Sequence, residues 1–227
     1  VIIHKNRNKY ISVKNIFIMS HNIDHIFFIN LDYREDRLEE IEREITKLEL
    51  NEKTERFPGI RVVEQGILGC TRSHLAVIKL AKERGYKNVL ILEDDFEVIL
   101  SKENFEKELT LFFDSKIDYD VCMISYALQI ENQEDEIVEE CPTINRVLEA
   151  QTASGYIVHS NYYDTIIELY EWACPLLENT KAHWLYANDQ CWKSLQKKDR
   201  WFYFKNRIGR QRASYSDNSM SFMDYGK

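Results

Sequence analysis

The stretch Asn88-Val-Leu-Ile-Leu-Glu-Asp-Asp95 decides how this chain folds. Its first five residues make a run of strand length, apolar from Val89 to Leu92, that ends in three successive carboxylates. A strand without polar alternation is buried on both faces, as in a parallel sheet covered by helices. The elements before it agree. His25-Ile-Phe-Phe-Ile-Asn-Leu31 reads as a second buried strand, and a helix signal follows at once. Asp32 with Glu35 makes a capping-box pattern, and Leu38, Ile41, Ile45 and Leu48 recur at spacings of three and four. The loop Phe57-Pro-Gly59 closes that unit. Gly66-Ile-Leu-Gly-Cys-Thr-Arg-Ser73 then opens a helix that carries Leu75, Val77, Ile78 and Ala81 and stops near Gly85.

After the decisive stretch, the pattern predicts a helix over 102–113, a strand from Tyr119 to Ser125 and another from Ala153 to Val158. Helices over Asn161–Trp172 and Asn188–Gln196 and a last strand over Trp201–Phe204 complete it. Glu131 to Glu140 holds six acids and no base, which reads as a solvated loop. Strands alternating with helices indicate an α/β class with a mostly parallel central sheet.

The 227 residues, 44% hydrophobic and 30% charged with 7 Gly and 3 Pro, suit one folded domain and exclude collagen-like or low-complexity architectures. Residues 1–23 contain no acid but hold Lys5, Arg7, Lys9 and Lys14, and are read as an N-terminal extension, disordered or artefactual. The single domain spans 24–227. Apolar runs fall short of the roughly 18 residues a membrane span needs, so no transmembrane segment is expected. Ile16 to Met19 is too short for a secretory core, and a cytoplasmic location is expected. The five cysteines form no C-x-x-C pair and read as buried thiols of a reducing compartment. A net charge of -8 argues against nucleic acid as a partner.

Ligands of open parallel sheets bind beyond the carboxyl ends of the strands, and three features fall there. The first is Asn30-Leu-Asp-Tyr-Arg-Glu-Asp-Arg37, whose Arg34 and Arg37 can share a face of the first helical turn and meet an anion. The same pair equally fits surface charges matched by nearby glutamates. The second is Glu93-Asp94-Asp95, whose mutual repulsion a divalent cation would relieve, although acids there can also cap the next segment. In the third, Gly69-Cys-Thr-Arg-Ser-His74, Ser73 and His74 offer hydrogen-bonding groups beside a strand end, with a structural histidine as the plainer reading. Eight Lys or Arg against one Asp in 193–212 add a basic tail whose Arg210 and Arg212 can fold over a diphosphate or simply face solvent.

In order and spacing, three motifs resemble those of glycosyltransferase family 25, which includes lipooligosaccharide and procollagen galactosyltransferases. They are Asn30-Leu-x-x-Arg-x-x-Arg37, Gly66-x-x-Gly-Cys-x-x-Ser-His-Leu75 and Val89-Leu-Ile-Leu-Glu-Asp-Asp95. The resemblance runs on through Gln151-Thr-Ala-Ser-Gly-Tyr-Ile157 to Gly209-Arg-Gln-Arg-Ala-Ser-Tyr-Ser-Asp217. It implies the GT-A type, a Rossmann-like α/β/α sandwich that binds a UDP-sugar with manganese or another divalent cation. Carried over, Asp95 and Glu93 are the metal ligands, and Asn30, Leu31, Arg34, Arg37, Ser73, His74, Glu93 and Asp94 lie at the nucleotide-sugar. The implied reaction is inverting transfer of a hexose, galactose or glucose, to a hydroxyl of a glycan or protein acceptor. Such a displacement needs a carboxylate base; besides Asp95, the catalytic candidate is Asp189, in Ala187-Asn-Asp-Gln190 at the start of a predicted helix, which equally reads as an N-cap residue without catalytic duty. The stretch between Phe57 and Gly66 is shorter than the donor-side insert of many family members, and 131–140 has no counterpart there. A catalytically inactive glycan- or nucleotide-binding relative is the alternative. A nucleotidyltransferase is a third reading, but one that lacks a Gly-rich phosphate loop.

Overall fold

Successive residues of the decisive run part to opposite faces of one sheet, as the pleat requires. Val89 and Ile91 join Val77, Ile78, Ile166 and Tyr170 in one core, while Leu90 and Leu92 join Ile41, Ile45, Phe105 and Phe112 in another. The computed structural model describes residues 22–130, 138–216 and 221–223.

In chain order, the elements are β1 (His25–Asn30), α1 (Glu35–Lys47), β2 (Thr54–Pro58), α2 (Gly66–Glu83), β3 (Asn88–Glu93), β4 (Phe96–Val98) and α3 (Lys102–Asp114). There follow β5 (Val121–Met123), β6 (Ala127–Leu128), β7 (Ile144–Arg146), β8 (Ala150–Gln151), β9 (Gly155–His159) and α4 (Tyr163–Thr180). The chain continues through the short turns α5 (His183–Tyr186), α6 (Asn188–Cys191) and α7 (Lys193–Gln196). It then forms β10 (Trp201–Phe204), β11 (Gly209–Gln211), β12 (Ser214–Ser216) and β13 (Ser221–Met223).

The central sheet has seven strands in the order β2-β1-β3-β9-β5-β10-β7. Strands β2, β1, β3, β5 and β10 run one way, and β9 and β7 run the other. The fold is thus the expected α/β/α sandwich on a mostly parallel sheet, with α2 and α4 on one face and α1 and α3 on the other. Burying a Leu, Ile or Phe side chain in these layers contributes about 1.5 to 3 kcal/mol. Helix α2 ends where expected, with Gly85 at a φ of 69°, a backbone that costs glycine nothing.

Several sequence expectations need correction. Thr54–Pro58 is a strand at the sheet edge, not the approach to a loop; its half-exposed Glu55 and Arg56 hide the strand pattern. The capping box does not form. Arg34 occupies the N-cap of α1 without a side-chain cap, and Asp32 instead accepts from Arg56 at 2.7 Å. The helix expected over 161–172 begins at Tyr163 and continues to Thr180, and the one over 188–196 is two turns separated at Trp192. Strands β4, β6, β7, β8 and β11 to β13 are two or three residues long, too short for periodicity to register. All five cysteines are free thiols, and four of them are buried. Residues 1–21, 131–137, 217–220 and 224–227 lie outside the described residues. No helix among the described residues is long and apolar enough to cross a membrane.

Candidate functional site

Strands β1 and β3 are parallel neighbours with Ile29 beside Glu93, so the segments after both strands leave the sheet at the same carboxyl end. A cavity of about 230 Å³ opens there. Of the residues singled out in the sequence, Leu31, Arg34, Arg37, Ser73, Glu93, Asp94 and Asp95 line it. Its far wall is the backbone of 60–63, and Gly69 brings that wall against α2. A Cβ on Gly69 would stand 2.3 Å from the Ile60 carbonyl oxygen, so only glycine fits.

Asn30 is buried behind the cavity floor and holds Asp94 in place. Its Nδ2 donates to Asp94 Oδ2 at 2.9 Å, while Arg56 Nε donates to Asn30 Oδ1 at 3.0 Å. Arg37 approaches from the other side, with Nη1 3.0 Å from Asp94 Oδ1 and 3.5 Å from Asp95 Oδ2. Its Nη2 donates to Ser214 Oγ at 2.9 Å. Burial raises the Asp94 pKa, and Arg37 and Asn30 only partly oppose it.

Asp95 is the most perturbed member of the acidic triplet. Burial, reinforced by the charges of Glu93 and Asp94, pushes its pKa up to about 7 against the pull of Arg37 and Gln211. Gln211 Nε2 donates to Asp95 Oδ2 at 2.9 Å. The other oxygen, Oδ1, is buried with no hydrogen-bond partner. A buried, unsatisfied carboxylate oxygen is costly, and a cation or a proton would satisfy it.

Glu93 faces α2. Its Oε1 lies 2.9 Å from His74 Nε2 and accepts from Cys70 Sγ at 3.3 Å. Burial raises its pKa, but the His74 hydrogen bond and charge, helped by Cys70 and Arg37, outweigh that and hold it below the ordinary value. His74 itself is fully buried, with Nδ1 2.9 Å from the Tyr156 hydroxyl, so it positions Glu93 from behind. Ser73 reaches the cavity wall, accepting from the Ile60 N–H at 2.8 Å and donating to the Gly69 carbonyl at 2.8 Å. Its hydroxyl pins the 60–63 segment to α2.

Arg34 and Arg37 both line the cavity, and each is also held by a carboxylate: Arg34 donates to Asp36 at 2.9 and 2.8 Å, and Arg37 to Asp94 at 3.0 Å. In the basic tail, Arg212 lines the cavity but also pairs with Glu40 at 2.7 Å and Glu44 at 3.0 Å. Arg210 pairs with Glu97 at 2.7 Å and is not among the lining residues. Asp189, in the first turn of α6, does not line the cavity either. Its carboxylate accepts from the Thr152 N–H and from Gln190, each at 3.2 Å, and burial raises its pKa. Trp192 and Tyr126 are buried in the core, Trp172 and Trp184 are exposed, and none of the four lines the cavity.

Arg56 and Arg61 lie outside every motif, and Tyr33, Tyr156 and Gln211 lie within motif stretches that do not single them out; their contacts are evident only in three dimensions. Arg61 Cζ stands 4.7 Å over the Tyr33 ring, and both residues line the cavity.

No family model matches the chain, and no curated protein matches it in sequence. Among solved structures, the chain is similar to a glycosyltransferase involved in the glycosylation of the major capsid of PBCV-1. The TM-score there is 0.48 and the identity 12%, over 86% of this chain and 96% of that one. It is similar to mannose-1-phosphate geranyltransferase from Thermus thermophilus, with a TM-score of 0.47 and 12% identity over 84% of this chain and 74% of that one. It is also similar to the glycosyltransferase GlyE of Streptococcus pneumoniae, with a TM-score of 0.46 and 10% identity over 82% of this chain and 46% of that one.

Proposed function

We propose that this chain is a glycosyltransferase of the family 25 kind and GT-A type, which moves a hexose from a UDP-sugar to a hydroxyl of a glycan or protein acceptor with inversion. The observation that carries this reading is Asp95 Oδ1, buried and unpartnered in the carboxylate-lined cavity at the strand ends. An oxygen-rich donor set suits a hard divalent cation such as Mn2+, and Asp95 with Glu93 would hold it. A bound cation would supply charge neutralisation to the diphosphate leaving group.

The chain's own residues do the rest. Arg37, already beside Asp94 and Asp95, and Arg34, at the N-terminus of α1, would orient the diphosphate by exchanging carboxylate partners for phosphate. Tyr33 offers a ring face for a nucleobase at the cavity mouth. Asn30, fixed by Arg56, keeps Asp94 from rotating, and Ser73 holds the 60–63 wall against α2. Asp189 is the proposed base, because burial keeps its pKa nearer to neutrality, as general-base work demands. The acceptor would reach it past Cys70, which lines the cavity and lies 4.0 Å from the neighbouring Asn188.

Calorimetric titration of UDP with and without Mn2+, run beside an assay of UDP release from UDP-galactose and UDP-glucose, tests the proposal. Metal-dependent binding that fails in Asp95→Asn is expected. Binding indifferent to metal, or unchanged in Asp95→Asn, would overturn it. Metal-dependent binding without release, with a glycan acceptor present, would favour the inactive binding relative.

A further inference from the structure

We propose that Cys70, His74 and Glu93 form a site for a zinc-type transition-metal ion, which shares Glu93 with the oxygen-ligand site proposed at Asp95 but differs from it in donor chemistry. This inference goes beyond the transferase reading and does not rest on it.

Cys70 and His74 are one turn apart on α2 and so share a helix face, which is turned toward Glu93 at the end of β3. Their donor atoms, Cys70 Sγ, His74 Nε2 and a Glu93 carboxylate oxygen, all lie within 4.8 Å of one another. Two of the separations are 3.3 Å and 2.9 Å. Zinc bonds of about 2.0 to 2.3 Å place tetrahedral ligand atoms roughly 3 to 4 Å apart. Two separations are already at or close to that span and the third is no more than 4.8 Å, so rotation of the side chains would complete three bonds.

The donor set decides which ion. A thiolate, an imidazole and one carboxylate favour Zn2+ over Mn2+ or Mg2+, which prefer oxygen. The surroundings already match what such ligands need. The Tyr156 hydroxyl lies 2.9 Å from His74 Nδ1, so an N–H there can donate to it and leave the Nε2 lone pair to the metal. Asn188, buried beside Cys70, has an Nδ2 without a partner and an Oδ1 that lies 4.0 Å from Sγ. Turned over, the same amide gives the thiolate an N–H donor at no change in shape.

In the metal-free protein, Glu93 Oε1 meets both Cys70 and His74. On binding, the Cys70 thiol proton passes to solvent, His74 bonds as the neutral ring, and the 2+ ion is balanced by thiolate and carboxylate. Because Cys70 and Glu93 line the cavity, the fourth coordination position faces it and is open to water or another oxygen ligand.

The test uses the full chain, reduced and stripped of metal, titrated with Co2+ and followed by absorbance. One Co2+ per chain, with a thiolate-to-cobalt charge-transfer band and the intense visible bands of tetrahedral cobalt, all displaced by equimolar Zn2+, is expected. Cys70→Ser should remove the charge-transfer band, and Cys174→Ser should keep it. Absence of the band from the wild-type protein overturns the proposal without recourse to any variant. So does a band that survives Cys70→Ser or vanishes in Cys174→Ser. Because the readout needs neither donor nor acceptor, it stays separate from any failure of the transferase assay.

Discussion

Arg37 Nη1 lies 3.0 Å from Asp94 Oδ1, joining the first turn of α1 to the acidic turn that follows β3. Both side chains are largely buried, with relative exposures of 14% and 10%, so the guanidinium compensates carboxylates that water barely reaches.

Removing that guanidinium should therefore destabilise the fold. Arg37→Met leaves Asp94 and Asp95 with little compensation, and breaking a buried pair by deleting one partner costs about 3 kcal/mol or more. Urea unfolding should show this loss, and Mn2+ should restore more stability to the variant than it adds to the wild-type protein. Equal responses to Mn2+ would separate the ion from these carboxylates.

The raised pKa of Asp95 sets a pH dependence. With a folded value of about 7 against an unfolded value near 3.8, the folded state holds the proton more tightly. Its contribution to stability is complete below the unfolded value and is lost as pH rises through about 7. Asp95→Asn, which removes the charge but not the shape, should be more stable than the metal-free wild-type protein at pH 8 by at least about 1 kcal/mol. The gap should close toward pH 4. Thermal unfolding across that range checks both statements.

Asp36 competes with any phosphate for Arg34, and that hydrogen bond is the main cause that lowers the Asp36 pKa to about 2. Asp36→Ala should tighten UDP binding a few-fold while weakening α1 by about 0.5 kcal/mol, because an acid is lost from its first turn. Calorimetry and thermal unfolding together read the two opposite effects, and an unchanged or weaker UDP affinity would remove Arg34 from the donor site.

Gly69→Ala inserts a methyl group where the Ile60 carbonyl leaves 2.3 Å. Displacing backbone should cost about 1 to 3 kcal/mol, and the displaced segment is the cavity wall. A chain that stays folded should bind UDP more weakly, whereas the exposed Val63→Ala should leave stability unchanged.

Asp189→Asn addresses the base. As the proton acceptor, Asp189 predicts a loss of transfer of about 10²- to 10⁴-fold with UDP affinity retained. Transfer within a few-fold of wild type would eliminate it.

Much of this architecture is legible in the order of residues. The apolar runs at 25–31 and 88–92, the helix periodicity of 38–48 and Gly85 mark β1, β3, α1 and the end of α2, because burial and backbone conformation act locally. The placement of Glu93, Asp94 and Asp95 at a strand end is legible for the same reason, and it locates the cavity. Strand direction is less so: β9 and β3 are equally apolar, yet β9 runs antiparallel, since a strand buried on both faces looks alike in either direction.

Only the tertiary structure decided how the charges in the site are paired. The spacing of Arg34 and Arg37 puts both at the cavity, but that Arg37 is paired with Asp94, 57 residues away, follows only from the packing of α1 against the turn after β3. The pairings of Arg56 with Asn30, Gln211 with Asp95 and Tyr156 with His74 are not legible in sequence, since hydrogen bonds between distant segments leave no period in a chain. Cys70, His74 and Glu93 became a candidate metal site the same way, when the packing of α2 on β3 joined two separate motifs.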